Sequence, residues 1–290
     1  MDRNIMAKKQ KIMEIGGQAV IEGVMMKSKK RIVTSIRKGK KIISKKREFI
    51  PIIARKKIYK TPIIRGIISI FELMIVGMQE LAWSADQQTD EKQGKLTWLQ
   101  LLITFSISIL AVIGIFIIAP YYLTKVFYSE INIWFNLIDG GFRVLMFVLY
   151  LAIIGLMADM KRVFQYHGAE HKSVNCYEAG KKLTVSNVKK FSTIHPRCGT
   201  SLLVFVIVIS ILLFSLIKDP RWYVNIPFRI ILIPVIVGIS FEIVKLSAKF
   251  KNSRILKALI IPGLWTQKLT TREPDSKQIE VAIKSLKKAM

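Results

Sequence analysis

Long apolar runs alternate with short polar segments along most of this 290-residue chain. Runs of about 20 apolar residues are long enough to cross the hydrocarbon core of a membrane as helices. We identify four such segments, at residues 99–119, 143–158, 201–217 and 228–248. The last contains Pro234 and Glu242, which predicts a kinked span that is partly buried against its neighbours.

A fifth apolar segment, residues 63–83, is long enough to span but carries Arg65, Glu72 and Glu80. We interpret it as a helix that lies along or dips into the membrane interface and packs on the bundle. A fifth full crossing would place either the basic N-terminus or the histidine-containing loop outside the cell, against the charge distribution described below.

The N-terminal residues follow a different pattern, in which short β-favouring runs alternate with Gly and Lys turns between residues 14 and 60. This alternation predicts an antiparallel sheet of about three strands, with a hairpin tip at Gly39 in "RKGKK". The motif "GGQAVIEGVMM" lacks the spacing of a phosphate-binding loop and favours a β-bulge or a tight turn. At the other end, an amphipathic helix is predicted from about Asp275.

These elements together predict a mainly α fold. It is a polytopic membrane helix bundle, with four spans plus one interfacial helix, and a small N-terminal antiparallel β cap on the cytosolic side. The predicted divisions are a basic cytosolic β cap (1–62), the interfacial helix (63–83), the four-span bundle (96–260) with a cytosolic His/Cys loop (161–198), and a cytosolic C-terminal tail (261–290).

Charge gives this bundle an orientation. The chain is 51% hydrophobic and yet carries a formal net charge of +27, so the two properties are segregated along it. Residues 1–65 hold 20 basic and 4 acidic residues, and the loop 161–198 holds 8 and 2, whereas residues 124–141 hold 1 and 2. Because basic loops stay in the cytosol, we predict a multi-pass protein of the plasma membrane with both termini cytosolic.

All the soft metal ligands of the chain lie in one short window. His167, His171, Cys176, His195 and Cys198 are the three histidines and two cysteines of the sequence. In a reducing cytosolic loop, the cysteines are expected to be metal ligands or buried small residues rather than a disulfide. The clustering therefore indicates a metal site, for which zinc is the expected ion because it prefers His and Cys.

Two kinds of site fit this window. His167 and His171 lie four residues apart, on one face of a helix, in an H-x-x-E-H motif with Glu170 as candidate general base and Glu242 or His195 as third ligand. Alternatively, Cys176, Cys198 and His195 with one helix histidine would form a closed Cys₂His₂ site that only ties the loop to the bundle. A third interpretation is a set of uncoordinated polar groups satisfied by hydrogen bonds.

The basic cap predicts acidic partners. Lysine runs at residues 27–31, 37–41 and 45–47 form a positive patch beside the membrane. Anionic lipid and ribosomal RNA both attract such patches, and a solvated positive face is the alternative. The sequence identifies no small-molecule substrate.

Four motifs together, "GGQAVIEGVMM", "PIIRGIISIFELMIVGMQELAWSA", "YHGAEHKSVNCYEAG" and "HPRCGTSLL", resemble the YqhQ-type family of bacterial membrane proteins. The resemblance covers roughly residues 14–285. It implies that this chain is a metal-dependent enzyme, as members of the family are commonly labelled. The residues that match the family's motifs are Glu22, Glu72, His167, Glu170, His171, Cys176, Glu178, His195 and Cys198.

Two functions follow as hypotheses. The first is an integral membrane, zinc-dependent hydrolase at the cytosolic interface, with Glu170 as general base. The second is a non-enzymatic membrane factor, in which a closed metal site rigidifies the cytosolic part and the basic sheet docks the translocation machinery, a ribosome or anionic lipid.

Overall fold

A computed structural model describes residues 15–88, 97–249 and 254–290 of the chain. Helices dominate the described part, and a small antiparallel sheet stands at its N-terminal end. This confirms the mainly α class and the N-terminal β cap.

The β cap has four strands within the described residues, one more than the sequence predicts. They follow one another in chain order as β1 (Gly16–Val20), β2 (Gly23–Lys27), β3 (Arg31–Lys38) and β4 (Lys41–Glu48). The additional hairpin turns at Ile21 and Glu22, where Glu22 adopts a left-handed backbone with φ of 55°. The predicted tip at Gly39 is confirmed, with φ of 57° between β3 and β4.

Both faces of the sheet are covered by helices. Alternate residues of a strand point to opposite faces, so Val24, Met26 and Val33 pack on one side, against helices α5 (Ala158–Glu178) and α10 (Ser276–Ala289). Met25 and Ile32 pack on the other side, against helix α1 (Ile64–Gln88). Covering both faces makes the cap, α1, α5 and α10 one packed unit.

Helix α10 confirms the predicted C-terminal helix. Asp275 is its N-cap and forms a capping box with Gln278, which satisfies two backbone donors at the helix start. Its predicted apolar face is fully or nearly fully buried: Ile279, Ile283 and Leu286. The hydroxyl of Ser285 donates to the backbone carbonyls of Val24 and Val33 at 3.0 and 2.8 Å, which fastens the end of the chain to its N-terminal sheet.

The bundle consists of apolar helices. They are α2 (Trp98–Ile113), which continues through a π-turn (Gly114–Ile118) into α3 (Ala119–Phe127), α4 (Ile133–Ile154), α7 (Gly199–Phe214), α8 (Trp222–Lys249) and α9 (Arg254–Thr270). A five-residue helix, α6 (Val185–Lys189), lies between α5 and α7. Four helices of the described chain are long and apolar enough to cross a membrane: Ile64–Gln88, Trp98–Phe127, Ile133–Ile154 and Trp222–Leu246. Helix α7 is apolar but shorter.

Helix α1 connects the bundle to the cap. Near its start, Gly66 packs so closely on Gly238 of α8 that a side chain at either position would clash. Near its end, the Ser84 hydroxyl accepts a hydrogen bond from the Ile21 backbone, and the buried Glu80 carboxylate accepts one from Thr34 at 2.8 Å. Glu80, one of the polar residues that interrupt this apolar segment, is therefore a contact with the sheet.

Inside the bundle, an aspartate and two arginines form a fully buried network, which we call the arginine cluster (Asp139, Arg143 and Arg229). Asp139 Oδ2 accepts from Arg143 Nη2 at 2.6 Å and from Arg229 Nη1 at 2.8 Å. The Phe214 ring lies 4.9 Å from both guanidinium groups. Arg143 Nε donates to the Phe116 carbonyl in the π-turn, a geometry that leaves a backbone oxygen free for a side chain.

Candidate metal centre

Helix α5 carries the two histidines of the H-x-x-E-H motif. His167 and His171 are one turn apart on the same face, and their ring centroids are separated by 4.4 Å. The predicted helical placement of this pair is therefore present in the structure. His171 is buried and His167 is half-buried.

Backbone carbonyls fix the orientation of both rings. His167 Nδ1 lies 2.8 Å from the Thr270 carbonyl oxygen, and His171 Nδ1 lies 2.5 Å from that of Thr193. A carbonyl can only accept, so each Nδ1 carries a proton, and in the neutral rings each Nε2 keeps its lone pair. This is the arrangement by which proteins orient histidine ligands towards a metal ion.

Cys198 offers a third potential ligand atom. It is the N-cap of α7, and its Sγ lies 3.3 Å from His167 Nε2 and accepts from the Thr200 backbone N–H at 3.4 Å. Within the described residues, one ligand atom each from His167, His171 and Cys198 lies within 4.8 Å of the others.

The donor set fits zinc, and so does the spacing between Cys198 and His167. Ligand bonds of about 2.0–2.3 Å place the ligand atoms of a tetrahedral zinc site roughly 3.5 Å apart. The Sγ–Nε2 distance of 3.3 Å agrees with that separation. Two imidazoles and one thiol are three protein ligands, the number found in zinc sites that keep one position open. We call these three residues the His₂Cys cluster.

Glu170 stands at the edge of the His₂Cys cluster. Its carboxylate is buried and Oε2 lies 3.5 Å from His171 Nε2. On its other side, the side chain packs against Gly17 of β1, where an added Cβ would meet Glu170 Cγ at 3.1 Å and the Met25 carbonyl at 2.3 Å. The absence of a side chain at Gly17 thus leaves room for the carboxylate beside the cluster.

His195 lies close to the cluster, and both of its ring nitrogens have neighbours. Its ring centroid is 5.7 Å from that of His171. The Arg197 backbone N–H donates to Nδ1 at 3.3 Å, so in the neutral ring the proton is on Nε2, which lies 3.5 Å from Glu178 Oε1. Glu178 also pairs with the Arg197 side chain. His195 therefore supports the loop that presents Cys198, rather than offering a lone pair to the cluster.

The structure does not bring Cys176 into the cluster. On the continuous helix α5 it is nine residues after His167, which places it about half a turn around the helix axis. Its side chain is fully buried in the core between α5, α10 and the sheet, with Sγ 3.7 Å from the Lys182 carbonyl. Burial raises the pKa of the Cys176 thiol. The Cys₂His₂ arrangement that included Cys176 is not formed.

Two other acidic residues considered from the sequence also lie elsewhere. Glu242 of α8 forms a two-point ion pair with Arg65 of α1, with Nε to Oε1 at 2.6 Å. Glu72 of α1 is buried and accepts from the Ile52 backbone N–H at 2.8 Å. Both carboxylates thus hold α1 in place, one against the bundle and one against the segment that leaves the sheet.

Glu22, at the β1–β2 turn, anchors the start of α5. Its carboxylate pairs with Arg162 and accepts from the Tyr166 hydroxyl at 3.2 Å. Burial and the neighbouring Glu22 charge raise the pKa of Tyr166, so the phenol stays a neutral donor. This contact orients the helix that carries the histidines.

Thr193, Thr200 and Thr270 complete the site and were not singled out in the sequence. The first and last act through backbone carbonyls, which any residue type provides, so no sequence signal could identify them. Thr200 does carry a signal, because its hydroxyl lies 3.1 Å from Cys198 Sγ and it follows the cysteine by two residues at a helix start.

Comparisons with known proteins agree with the resemblance in the sequence. Residues 61–290 match the family described as Protein of unknown function (DUF1385). The chain is also 36% identical over 292 residues to Uncharacterized protein YqhQ of Bacillus subtilis (strain 168), an alignment that covers 93% of this chain and 90% of the relative. No solved structure matches. The chain therefore belongs to the DUF1385 family of YqhQ-type proteins.

Proposed function

We propose that this protein is a zinc-dependent hydrolase of the membrane, with the His₂Cys cluster as its metal centre and Glu170 as its general base. The observation that carries the proposal is the convergence of three potential ligand atoms within 4.8 Å of one another. Both histidines donate the Nδ1 proton to a backbone carbonyl, which leaves Nε2 for the metal. Zinc at such a site would supply a Lewis acid that activates water and polarises a scissile carbonyl.

The chain's own residues would divide the remaining work. His167, His171 and Cys198 would hold the zinc ion, and three protein ligands would leave one coordination position for a reactant. The Glu170 carboxylate, 3.5 Å from His171 Nε2, would accept a proton from the attacking water and return it to the leaving group. Burial of Glu170 and His171 excludes bulk water from that transfer.

The packing of the cap supports a location at the membrane surface. The sheet, α5 and α10 contact one another directly, so they lie on one side of any membrane that the bundle crosses. The chain must then cross an even number of times between the sheet and α5. The C-terminal half of α1 is held against the sheet, which leaves α2–α3 and α4 as the two crossings. By the same reasoning, α7 and α8 are a second pair of membrane crossings, between α5 and α10.

The distribution of basic residues supports the side. The sheet and the segment after it belong to the stretch with 20 basic and 4 acidic residues, and basic segments remain in the cytosol. We therefore propose a multi-pass protein of the plasma membrane with both termini and the metal centre cytosolic. Substrates would reach the site from the cytosolic membrane surface.

Metal analysis of the purified protein tests the metal centre. We expect zinc in wild type and in Glu170→Gln, and loss of zinc in His167→Ala and Cys198→Ser, because only the latter remove a ligand. Cys176→Ser is the matched control, since it changes the other buried cysteine, which lies outside the cluster. Equal zinc loss in Cys176→Ser and Cys198→Ser would refute the assignment of ligands.

The catalytic role needs a second readout. Glu170→Gln retains the shape of the side chain and removes its basicity, so it should complement a deletion strain no better than Cys198→Ser does, despite normal zinc content and folding. Full complementation by Glu170→Gln would remove Glu170 as base and leave a structural metal.

One observation favours a structural role as the second candidate. The cluster joins α5 to the start of α7, and its supporting carbonyls come from two further segments, at Thr193 and Thr270. A metal there would cross-link four parts of the chain and rigidify the cap. The basic β3–β4 hairpin tip, with exposed Lys38, Lys40 and Lys41, would then be the functional surface, with anionic lipid, a ribosome or the translocation machinery as partner.

A further inference from the structure

A groove of about 390 Å³ lies where the end of the sheet meets α1, apart from the residues of the metal centre. The segment that leaves β4 forms one wall, with Glu48, Ile50 and Arg55, and α1 forms the other, with Glu72 and Ile75. Glu72 matches the family's motifs and yet lies outside the His₂Cys cluster. Its position assigns it to this groove, which its hydrogen bond to Ile52 helps to shape.

The groove has a cationic site at its cap end. Arg47 Nη1 donates to Gln79 at 3.0 Å and Nε lies 3.1 Å from Glu80, whereas its buried Nη2 has no hydrogen-bond partner among the described residues. Arg55, which follows Arg47 closely along the chain, is exposed at the groove. Guanidinium groups recognise phosphate through such spare N–H donors.

Carboxylates balance these arginines. Glu48 is exposed at the groove. Glu72 is buried beside Lys27, whose ammonium lies 4.5 Å above the Phe49 ring, and burial lowers the pKa of Lys27. The Glu72 charge acts against that lowering, so Lys27 and Glu72 interact inside the protein. The exposed Glu48 is the carboxylate available to a ligand. A groove that offers two arginines and the Glu48 carboxylate suits a headgroup that carries both a negative and a positive charge.

An apolar track leaves the groove in the direction of the bundle. Ile50 is 71% exposed, and on α1 Ile75 and Phe71 are 37% and 61% exposed. Phe71 and Ile75 are four residues apart, so they lie along one stripe of the helix. The stripe runs from the cap end towards the start of α1, which packs on α8 at Gly66. Polar groups at the cap end and apolar groups towards the bundle match the polarity of a phospholipid.

We propose that this groove binds a phospholipid with a primary-amine headgroup, of the phosphatidylethanolamine type. Arg47 and Arg55 hold its phosphate, the Glu48 carboxylate accepts hydrogen bonds from its ammonium group, and an acyl chain lies along Ile75 and Phe71. The lipid then bridges the cap and the bundle at the edge where α1 connects them.

Lipid retention by the full-length protein tests this proposal. The protein is purified from detergent micelles containing equal amounts of phosphatidylethanolamine, phosphatidylglycerol and phosphatidylcholine, and retained lipids are counted by mass spectrometry. We expect enrichment of phosphatidylethanolamine, and roughly tenfold weaker retention in Arg55→Gln, because a charge-assisted hydrogen bond to phosphate is lost. Lys57→Gln, two residues away and exposed outside the groove, is the matched control and should behave as wild type.

A second variant tests the headgroup. Glu48→Gln should abolish the preference for phosphatidylethanolamine over phosphatidylcholine, whose quaternary amine has no N–H to donate. Stronger retention of phosphatidylglycerol than of phosphatidylethanolamine, or equal losses in Arg55→Gln and Lys57→Gln, would overturn the proposal. His167→Ala should retain lipid as wild type does, so this result is independent of the metal centre.

Discussion

Helix α7 connects two buried polar clusters that differ in how their polar atoms are satisfied. Cys198 of the His₂Cys cluster caps its first turn, and Ser210, which accepts from Arg143 of the arginine cluster, lies roughly 18 Å further along it. In the arginine cluster, all six guanidinium nitrogens donate to protein acceptors. In the His₂Cys cluster, two imidazole nitrogens and a sulfur converge on one another.

The difference separates a set of internal contacts from a candidate binding site. Every guanidinium nitrogen of the arginine cluster has an acceptor in the protein, so these groups need no ligand. The role of the cluster is to hold α4, α7 and α8 together inside the bundle. Lone pairs that face one another repel unless a proton or a cation lies between them. In the His₂Cys cluster the thiol proton of Cys198 can lie towards His167 Nε2, and a cation could take its place, as proposed above. The guanidinium groups of the arginine cluster are satisfied by the protein itself.

The largest effect is expected from breaking the arginine cluster. Asp139→Ala leaves two guanidinium groups without their shared carboxylate in a buried site, and removal of one partner of such a pair costs about 3–5 kcal/mol. Denaturant unfolding in detergent should show this loss. Glu130→Ala, which removes an exposed acid in the loop before α4, should change stability by less than about 0.5 kcal/mol. Comparable effects of the two changes would contradict the fastening role.

Metal removal should have the next largest effect, and only through the His₂Cys cluster. A ligand at a hundredfold excess over its Kd stabilises the native state by about 2.7 kcal/mol, so chelation should lower the stability of zinc-loaded wild type by about that amount. His171→Ala should unfold at the same denaturant concentration with and without chelator. Sensitivity of His171→Ala to chelation would place the metal elsewhere.

A finer change within the His₂Cys cluster should weaken zinc without removing it. Thr200→Val deletes the hydroxyl that lies 3.1 Å from Cys198 Sγ, and loss of such a supporting contact lowers metal affinity about tenfold. Competition with a chromogenic chelator measures the affinity. Ser215→Ala, which removes a hydroxyl just past the other end of α7, is the control and should leave zinc affinity unchanged.

The smallest effect concerns the cysteine outside the cluster. Burial raises the pKa of Cys176 above its ordinary value of 9.0, so the folded state disfavours the thiolate that the unfolded chain forms. The stability contributed by the protonated thiol is complete below pH 9.0 and is lost as pH rises through the raised pKa. The Tm advantage of wild type over Cys176→Ala should therefore be constant to about pH 9 and then shrink. An advantage that grows at alkaline pH would contradict this.

Local sequence patterns were sufficient for several elements. The Asp275 capping box and the apolar spacing of Ile279, Ile283 and Leu286 specify α10, and Gly39 specifies a turn. The i, i+4 spacing placed His167 and His171 on one face for the same reason, since one α-helical turn fixes their relation. These features depend on neighbouring residues only.

Helical periodicity could also have separated Cys176 from the histidines. Continuing α5 to Glu178 turns Cys176 about half a revolution away from His167, towards the α10 side. The sequence analysis placed His167 and His171 on a helix but grouped Cys176 with them by distance along the chain. In a helix, direction decides which side chains meet, and distance along the chain does not.

Long-range pairing decided the rest. Asp139 and Arg143 are visible in the sequence as an i, i+4 pair, but their shared partner Arg229 lies 90 residues further on, in α8. The sequence offered Glu242 as a candidate metal ligand, but its carboxylate forms an ion pair with Arg65, 177 residues earlier in the chain.

The sequence by itself determined the apolar helices, the basic cap and the pair of histidines, because each arises from the pattern of nearby residues. Only the tertiary structure decided that Cys198 completes the cluster, that Thr193 and Thr270 orient its rings, and which carboxylates are held by arginines. Those contacts join segments that are distant along the chain, and packing of the sheet, α5, α7 and α10 determines which of them come within bonding distance.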